Sequence, residues 1–544
     1  MSKFKIEYQN NELIYWIDHQ DISRLNVNPE DNNQFLEWIN TYNQALKESN
    51  NKKVLLKIGQ EIFYWLDGDN CSIEKFQDQA ESPFIIEFQI PKMASSQQKS
   101  FIEVPWELLA NNNAFLAQHD ILKYSPIRRL GPEKETKPAA SEFRLNTVFM
   151  AASPRNVEPE LDYEQEENAL LNLGGGKALP MDLFVEESGN LGQLFDLVTD
   201  KKPDVVHISC HGNIFNENNQ NQPYLCLEDN KGNKVLTTPN TFCQQFTQHK
   251  PKLLFLSACK TAQSHQFNEH TKDDMGSFSQ TIIEHSFPAI LGWSGSVSDM
   301  EATRFAAGLY RELSHAASLE NAFAQARSLL FTTSESADPL QQAQKHESKD
   351  WHLARLYLGP DGGGEIAKGI KQGFNYEKDF GTKAFLGKKE QGNKVAGREE
   401  FVGRRRQIQD ILKIFETQQK AGVLIHGIGN QGKSSLAARI ANRLANYHTV
   451  LIYGKKGNER QYGRIYVLNT LKTVPGIARQ TDSMIDKLIQ EINQGQCSLK
   501  AALKELLEGP FSGKDKKHVP ILMVVDDLEK LLNPPQQEQA SYSV

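Results

Sequence analysis

The chain has 544 residues, is 39% hydrophobic, and carries a net charge of −7 with a pI near 6.1. That length accommodates about three domains with independent cores, and the acidic balance supplies no basic field for wrapping nucleic acid, despite local clusters at Arg128-Arg129 and Arg404-Arg405-Arg406. No run approaches the roughly 18 apolar residues of a membrane span and the opening MSKFKIEYQN has no signal-peptide core, so a cytosolic protein is expected, with neither membrane nor nucleic acid as an essential partner.

Residues 1–140 read as an N-terminal α/β region. Strand-like runs cover Lys5–Trp16, Val54–Ile58, Ile62–Leu66 and Phe84–Ile90, with one amphipathic helix near Phe35–Lys47, which predicts a region rich in antiparallel pairing. Gly131–Lys137 is a surface connection. Over 141–360 apolar strands alternate with helices: LNTVFMAAS, a helix near Asp162–Leu171, MDLFVEE, a helix near Leu191–Thr199, DVVHISC, KLLFLSA, FPAILGWSGS, helices over Asp299–Ser314 and near Leu319–Leu330, and HLARLYLG. This is the pattern of a helix-covered, largely parallel sheet. The Gly- and Lys-rich stretch 361–396 reads as a flexible linker, and 397–544 as a separate α/β module with strands GVLIHG, TVLIYG and VPILMVVDD around the helix KSSLAARIANRLANYH.

In open parallel sheets, functional groups collect where strands hand the chain to loops at their carboxyl ends. Two such ends are chemically unusual here: DVVHISC runs into His211-Gly212, and KLLFLSA into Cys259-Lys260-Thr261. An imidazole beside a thiol can take its proton and leave a nucleophilic thiolate. The six cysteines (Cys71, Cys210, Cys226, Cys243, Cys259 and Cys497) form no CxxC pair, which suits a reducing compartment and disfavours a disulfide framework or structural zinc. His207 faces the same side of its strand as His211 and reads as a core or supporting group, while Cys210 points the other way, so these residues do not converge on a metal.

The stretches VPWELLANNNAFL, YSPIRRL, AASPRNVEPELDYEQEENAL, DVVHISCHG, LLFLSACKTA, FPAILGWSGSVSDMEATRFAAGLYREL and NAFAQARSLL, in this order ahead of WHLARLYLG, resemble the CHAT family of caspase-like proteins, in the clan that also holds caspases and separases. His211 precedes Cys259 by 48 residues, close to the spacing of about 50 in caspases. The resemblance spans roughly residues 50–360 and implies a caspase-like mixed sheet with flanking helices. By position it makes His211 the general base and Cys259 the nucleophile of a cysteine endopeptidase that needs no cofactor, with the N–H groups of Gly212 and Cys259 as oxyanion hole. It also places Trp293 and Ser294 against an extended substrate. Asp299 has two readings: a pocket carboxylate favouring Arg or Lys before the scissile bond, or the cap of the helix it begins.

Gly427-Ile428-Gly429-Asn430-Gln431-Gly432-Lys433-Ser434 fits GxxxxGK[ST] between an expected strand and helix. Its glycines let backbone N–H groups meet phosphates, Lys433 reaches the β and γ phosphates, and Ser434 with Asp526 is expected to hold Mg²⁺, the following Ser435 also contributing to an ATP or other NTP site. Asp527 and Glu529 are alternatives for positioning the attacking water. Upstream, GREEFVGRRRQIQDIL resembles the lead-in of signal-transducing NTPases of the STAND and AAA+ type, which implies that Val402, Gly403 and Arg404 border the base. Such NTPases continue well beyond the acidic strand, so this reads as a partial P-loop NTPase domain, completed by a further sensing region or by another chain, with nucleotide binding expected and hydrolysis left open.

The leading expectation is thus a peptidase that cleaves a protein substrate under control of a nucleotide-dependent, oligomerising switch, an effector of the kind the resemblance places in bacterial stress or antiphage defence. The alternative is an NTPase switch or scaffold whose caspase-like part only binds partners. Acyl transfer or other thiol chemistry would use the same dyad.

Overall fold

In this computed structural model the residues described are 3–369, apart from 48–51, 113, 120–121, 156, 159–160, 162, 175–179, 218–219, 262, 264, 267–274 and 331–348, together with 385–386, 393–396, 401, 403–416, 422–444, 448–453, 467–469, 471–472, 479–509 and 521–526. They fall into two compact units, residues 1–376 and 377–544.

The first unit begins with an antiparallel meander, β1 (Phe4–Gln9), β2 (Glu12–Ile17) and β3 (Gln20–Asn26). Asn10 and Asn11 take left-handed φ values of 46° and 63°, as the tight turn between β1 and β2 requires. Helix α1 (Asp31–Lys47) follows as expected, but the two strands anticipated at 54–58 and 62–66 are one helix, α2 (Lys52–Asp67). Its buried residues Leu55, Ile58, Gly59, Ile62, Phe63 and Leu66 recur at helical spacing, and that longer period prevails over the two short apolar runs. Then come α3 (Ser72–Asp78), β4 (Ile85–Ile90), α4 (Ser96–Glu103), a small ladder of β5 (Ala110–Asn111) with β6 (Ala114–Phe115), and β7 (Ser125–Leu130).

The next stretch alternates as its sequence predicts: β8 (Leu145–Ala152), α5 (Tyr163–Gly174), β9 (Met181–Glu186), α6 (Leu191–Lys201) and β10 (Val205–Glu217). A hairpin not expected from the sequence follows, β11 (Gln220–Glu228) and β12 (Lys234–Thr237), and then α7 (Pro239–Gln245) and β13 (Leu253–Ser257). A short ladder of β14 (His265–Gln266) and β15 (Met275–Gly276) precedes α8 (Phe278–Glu284), β16 (Ala289–Trp293), α9 (Asp299–Ser314), α10 (Leu319–Ser328) and β17 (Ala354–Leu358).

One mixed sheet of thirteen strands runs through the whole unit, in the order β12-β11-β10-β13-β16-β17-β7-β4-β1-β2-β3, with β8 joined to β10 and β9 to β8. Helices flank it. Strands β9, β8, β10, β13 and β16 are mutually parallel, β17 is antiparallel to β16, and β17 then pairs parallel with β7, placing Tyr357 opposite Arg128. The sheet therefore crosses residue 140 without interruption.

Buried charges line the seam between β7 and β17. Arg128 donates to both Glu107 oxygens (2.5 and 2.9 Å) and to the carbonyls of Ile102 and Val104, Arg355 lies 3.6 Å from Glu107 and 3.4 Å from Glu103, and the Tyr357 hydroxyl donates to Glu103 at 2.8 Å. Burial would raise the Glu107 carboxyl, but Arg128 and Arg355 hold it below the ordinary carboxylate range. Past β17 the chain stays with this unit: Ile366 and Ala367 are buried, Ala367 bridges Ser141, and Arg129 donates to the carbonyls of Gly359 and Gly362. The linker expected over 361–396 is thus packed at least through residue 369, and 370–384 and 387–392 lie outside the described residues.

In the second unit a two-strand ladder, β18 (Phe385–Leu386) and β19 (Asn393–Lys394), precedes α11 (Arg405–Glu416) and α12 (Lys433–Arg443). Strands β20 (His448–Tyr453) and β21 (Ile521–Asp526) pair in parallel over six residues, with α13 (Arg479–Asn493) and α14 (Leu499–Glu508) between them in sequence. Residues 422–427, expected as a buried strand, belong to no ladder among the described residues, and Leu424 is 69% exposed. Direct pairing of β20 with β21 leaves no place for this run between them. No helix among the described residues is long and apolar enough to cross a membrane.

Candidate active site

Strand β10 changes neighbours midway. Val205–Cys210 lies between β8 and β13 in the parallel sheet, whereas from His211 onward the strand pairs antiparallel with β11, His211 facing Cys226. The last pair with β13 is Ser209 opposite Ser257, so His211 and Cys259 each stand two residues beyond the same rung. Gly212 shows how closely the two chains then run: a Cβ there would fall 2.2 Å from the Cys259 carbonyl oxygen. Only glycine fits. The His211 ring is half-buried, and its Nε2 is enclosed without a hydrogen-bond partner among the described residues, an arrangement that costs free energy and singles out an atom for attention.

Cys259 is half-buried. Its thiol is pushed up by burial, an effect opposed by hydrogen bonds from the Val297 N–H and the Ser296 side chain and by the Lys260 charge, and reinforced by Asp299. The same two hydrogen bonds would favour a thiolate. The loop carrying the thiol is pinned on both sides: Lys260 N donates to Gly295 O (3.2 Å), Thr261 Oγ1 donates to Ala258 O (3.0 Å), and Trp293 N donates to Thr261 Oγ1 (3.2 Å).

Below this point the polar face of β10 is tied to α5. His207 is buried, stacked 4.2 Å from the Phe255 ring, with Nε2 3.3 Å from Glu166 Oε1, to which Ser257 Oγ also donates at 3.1 Å. Burial alone would raise the Glu166 carboxyl, but His207, Ser209 and Ser257 hold it down. Cys210 is buried in the core.

Trp293 and Ser294 are both fully buried. Trp293 N is taken by Thr261, Ser294 N donates to Leu353 O (2.8 Å), and Ser294 Oγ pairs with the Tyr42 hydroxyl (2.9 Å). Their N–H groups and the Ser294 hydroxyl are therefore engaged within the fold. Asp299 is exposed as the first residue of α9, and the cap is Ser298, whose Oγ accepts from Glu301 N. Two residues at the thiol were not singled out in the sequence, Ser296 and Val297 on its sulfur, and Ser296 also lines a groove of about 210 Å³ together with Lys260, Gln263, Gly295, Leu46, Lys47 and Leu353. Ser296 and Val297 lie within the quoted GWSGSVSD run, but Lys47 carries no local signal of any kind.

Against known families, the CHAT domain matches residues 88–359, half of the chain. The chain belongs to the CHAT domain family. The resemblance read from its motifs is borne out to that extent. Among solved structures the chain is similar to a chain in two structures of the Saccharomyces cerevisiae separase–securin complex, at 13% and 12% identity, each with a TM-score of 0.29. Each match covers 53% of this chain and 16% of that one, so this chain spans about a sixth of the length of those relatives. No curated protein matches.

The CHAT match leaves two features outside it. Helix α1, which brings Leu46 and Lys47 to the groove, precedes residue 88, and the glycine-rich loop lies in the second unit. In that loop Gly432 takes a left-handed φ of 75° where α12 begins, and a Cβ on it or on Gly429 would meet nothing. Lys433 Nζ bends back to the carbonyls of Gly427 (3.1 Å) and Ile428 (3.0 Å), and Ser434 Oγ donates to Asp526 Oδ1 at 3.0 Å. Asn430 also has positive φ, Arg404 Nη2 donates to Gln431 O (2.7 Å), and Ser435 Oγ accepts from Ala396 N (2.9 Å). The Ser435 hydroxyl is thus engaged by backbone. Gly403, beside Arg404, is open on its Cβ side, whereas Val402, Asp527 and Glu529 lie outside the described residues.

Proposed function

We propose that the CHAT domain is a cysteine endopeptidase with Cys259 as nucleophile and His211 as general base. His211 takes the thiol proton as Sγ attacks a peptide carbonyl, and the N–H groups of Gly212 and Cys259 receive the oxyanion. The C–N bond then breaks, the imidazolium returns its proton to the leaving amine, and water hydrolyses the thioester with His211 again as base. The observation that supports this reading most is the close approach of Gly212 to the Cys259 carbonyl, which draws the two strand ends together beside an enclosed His211 Nε2 that has no partner among the described residues. Replacing Gly212 by alanine tests it. The added Cβ must push the Cys259 carbonyl away by about 1 Å, at a cost of about 1–3 kcal/mol in stability, and cleavage of an unfolded protein substrate, measured where the variant stays folded, is expected to fall about 100-fold. Undiminished cleavage would mean that this contact does not position the nucleophile.

The second unit is proposed as a nucleotide-binding switch acting on that peptidase. The open glycines, the lysine held over the loop and the Ser434–Asp526 pair suit a triphosphate with Mg²⁺. Bound there, the cation would neutralise phosphate charge, with Ser434 and Asp526 holding it and Lys433 turning from the loop carbonyls to the phosphates. Loss of one charged hydrogen-bonding group removes about 1.5–3 kcal/mol, so Lys433→Ala is expected to weaken ATP binding about 10- to 100-fold, read by calorimetric titration. Equal affinity of both proteins for ATP would remove the lysine from the site. An effector role in bacterial stress or antiphage defence belongs to the same proposal, supported by the family resemblance and by the presence of both parts in one chain.

A further inference from the structure

The groove beside Cys259 has a charge pattern that neither the nucleophile nor the base explains. Among the described residues its charged walls are Lys47 and Lys260, and no described carboxylate lines it. Lys260 is placed rather than free: its backbone has a left-handed φ of 62°, its N–H is held by Gly295 O at 3.2 Å, and its Nζ donates to Asn213 Oδ1 at 3.2 Å. Gln263 is oriented by donation to Asn43 Oδ1 at 3.3 Å. The floor is apolar and close, since a Cβ on Gly295 would come within 3.0 Å of Leu353 and 3.3 Å of Leu46. At about 210 Å³ the space suits one side chain of moderate size. Ser296 both lines the groove and bonds the Cys259 sulfur, so whatever enters lies next to the reacting centre.

We infer that this groove is a specificity subsite for an acidic side chain, an Asp or Glu within a residue or two of the scissile bond of a peptide substrate, with Lys47 and Lys260 as its cationic walls. The inference rests on reading Cys259 as a peptidase nucleophile. Two lysines facing a half-enclosed space favour an anion and reject Arg or Lys by like-charge repulsion. The opposite preference would need Asp299, but that carboxylate is exposed and does not line the groove. Asp350 accepts from Ser298 N at 3.1 Å and does not line it either. Leu46 and Lys47 come from α1, outside residues 88–359, so part of this selectivity belongs to the N-terminal segment and not to the CHAT match.

The test has two arms on the full chain. In the first, Cys259 is alkylated by iodoacetate or by neutral iodoacetamide, Sγ displacing iodide in both, and the labelled peptide is quantified by mass spectrometry. The ratio of the anionic to the neutral rate is expected to fall about 10-fold in Lys47→Glu. This arm needs no peptidase activity. In the second, a peptide library is profiled with wild type and Lys47→Glu. Wild type is expected to select Asp or Glu near the cleaved bond, and in the variant the ratio of kcat/KM on those peptides to kcat/KM on neutral ones is expected to fall about 10-fold. An unchanged alkylation ratio together with cleavage indifferent to acidic residues overturns the subsite and leaves the peptidase standing. If the ratio shifts as expected but no peptide is cleaved, the peptidase reading fails and the substrate assignment falls with it.

Discussion

Replacing His211 by alanine is expected to lower peptide cleavage about ten-thousand-fold while leaving Cys259 in place. The size follows from the role: without a base beside it, a thiol that burial pushes upward stays protonated, and what remains is the help given by the oxyanion donors and by substrate binding. The loss should lie in kcat more than in KM, since the imidazole acts on the reacting proton and not on the bound chain. Stability should change little, because His211 Nε2 has no hydrogen-bond partner among the described residues to lose. A variant within about tenfold of wild type in kcat/KM would reassign the base; His207, buried against Glu166 and Phe255, is badly placed to replace it.

The second large effect concerns the fold. Glu107→Ala is expected to destabilise the first unit by about 3–5 kcal/mol, because it leaves Arg128 and Arg355 buried without the carboxylate between them. Urea unfolding should show a lower midpoint with an unchanged slope. The double change Glu107→Met with Arg128→Met should recover part of the loss, since burying apolar groups costs less than burying an uncompensated guanidinium. The pH dependence has a definite sign. The Glu107 carboxyl is depressed in the folded state, so its contribution is full above the ordinary carboxylate pKa of about 4.3 and is lost only as pH falls through its lower folded value. Wild type should therefore lose stability on acidification below about pH 4, and the variant should lose less. Because Glu103 and Glu107 precede β7 while Arg355 and Tyr357 sit on β17, this cluster ties the N-terminal strands to the strands that carry the dyad.

The alternating strands and helices from β8 to β17 were legible because each has one strong period and buried apolar residues to match, as in α9, whose bounds agree with those read from the sequence. The two strand ends carrying His211 and Cys259 were legible for the same reason. Helix α2 was misread because its apolar residues fall into two clusters that mimic short strands, and only the full sixteen-residue span shows the helical repeat. Tertiary facts escaped altogether. Nothing local marks β10 as a strand that outlives its sheet and becomes a hairpin, or Trp293 as a fully buried residue, or Lys47 as a wall of the groove 212 positions away from the nucleophile in sequence. The run at 422–427 is a further case: it is apolar enough for a buried strand, yet it joins no ladder among the described residues.

The central claim is that Cys259 performs the attack on a peptide bond. It is tested most directly by mapping new protein N-termini in a proteome incubated with wild type or with Cys259→Ala, each in the presence and absence of ATP. The account predicts a set of cleavage sites made by the wild type and missing with the variant, with ATP altering how many are cut. The same sites appearing with Cys259→Ala would contradict it.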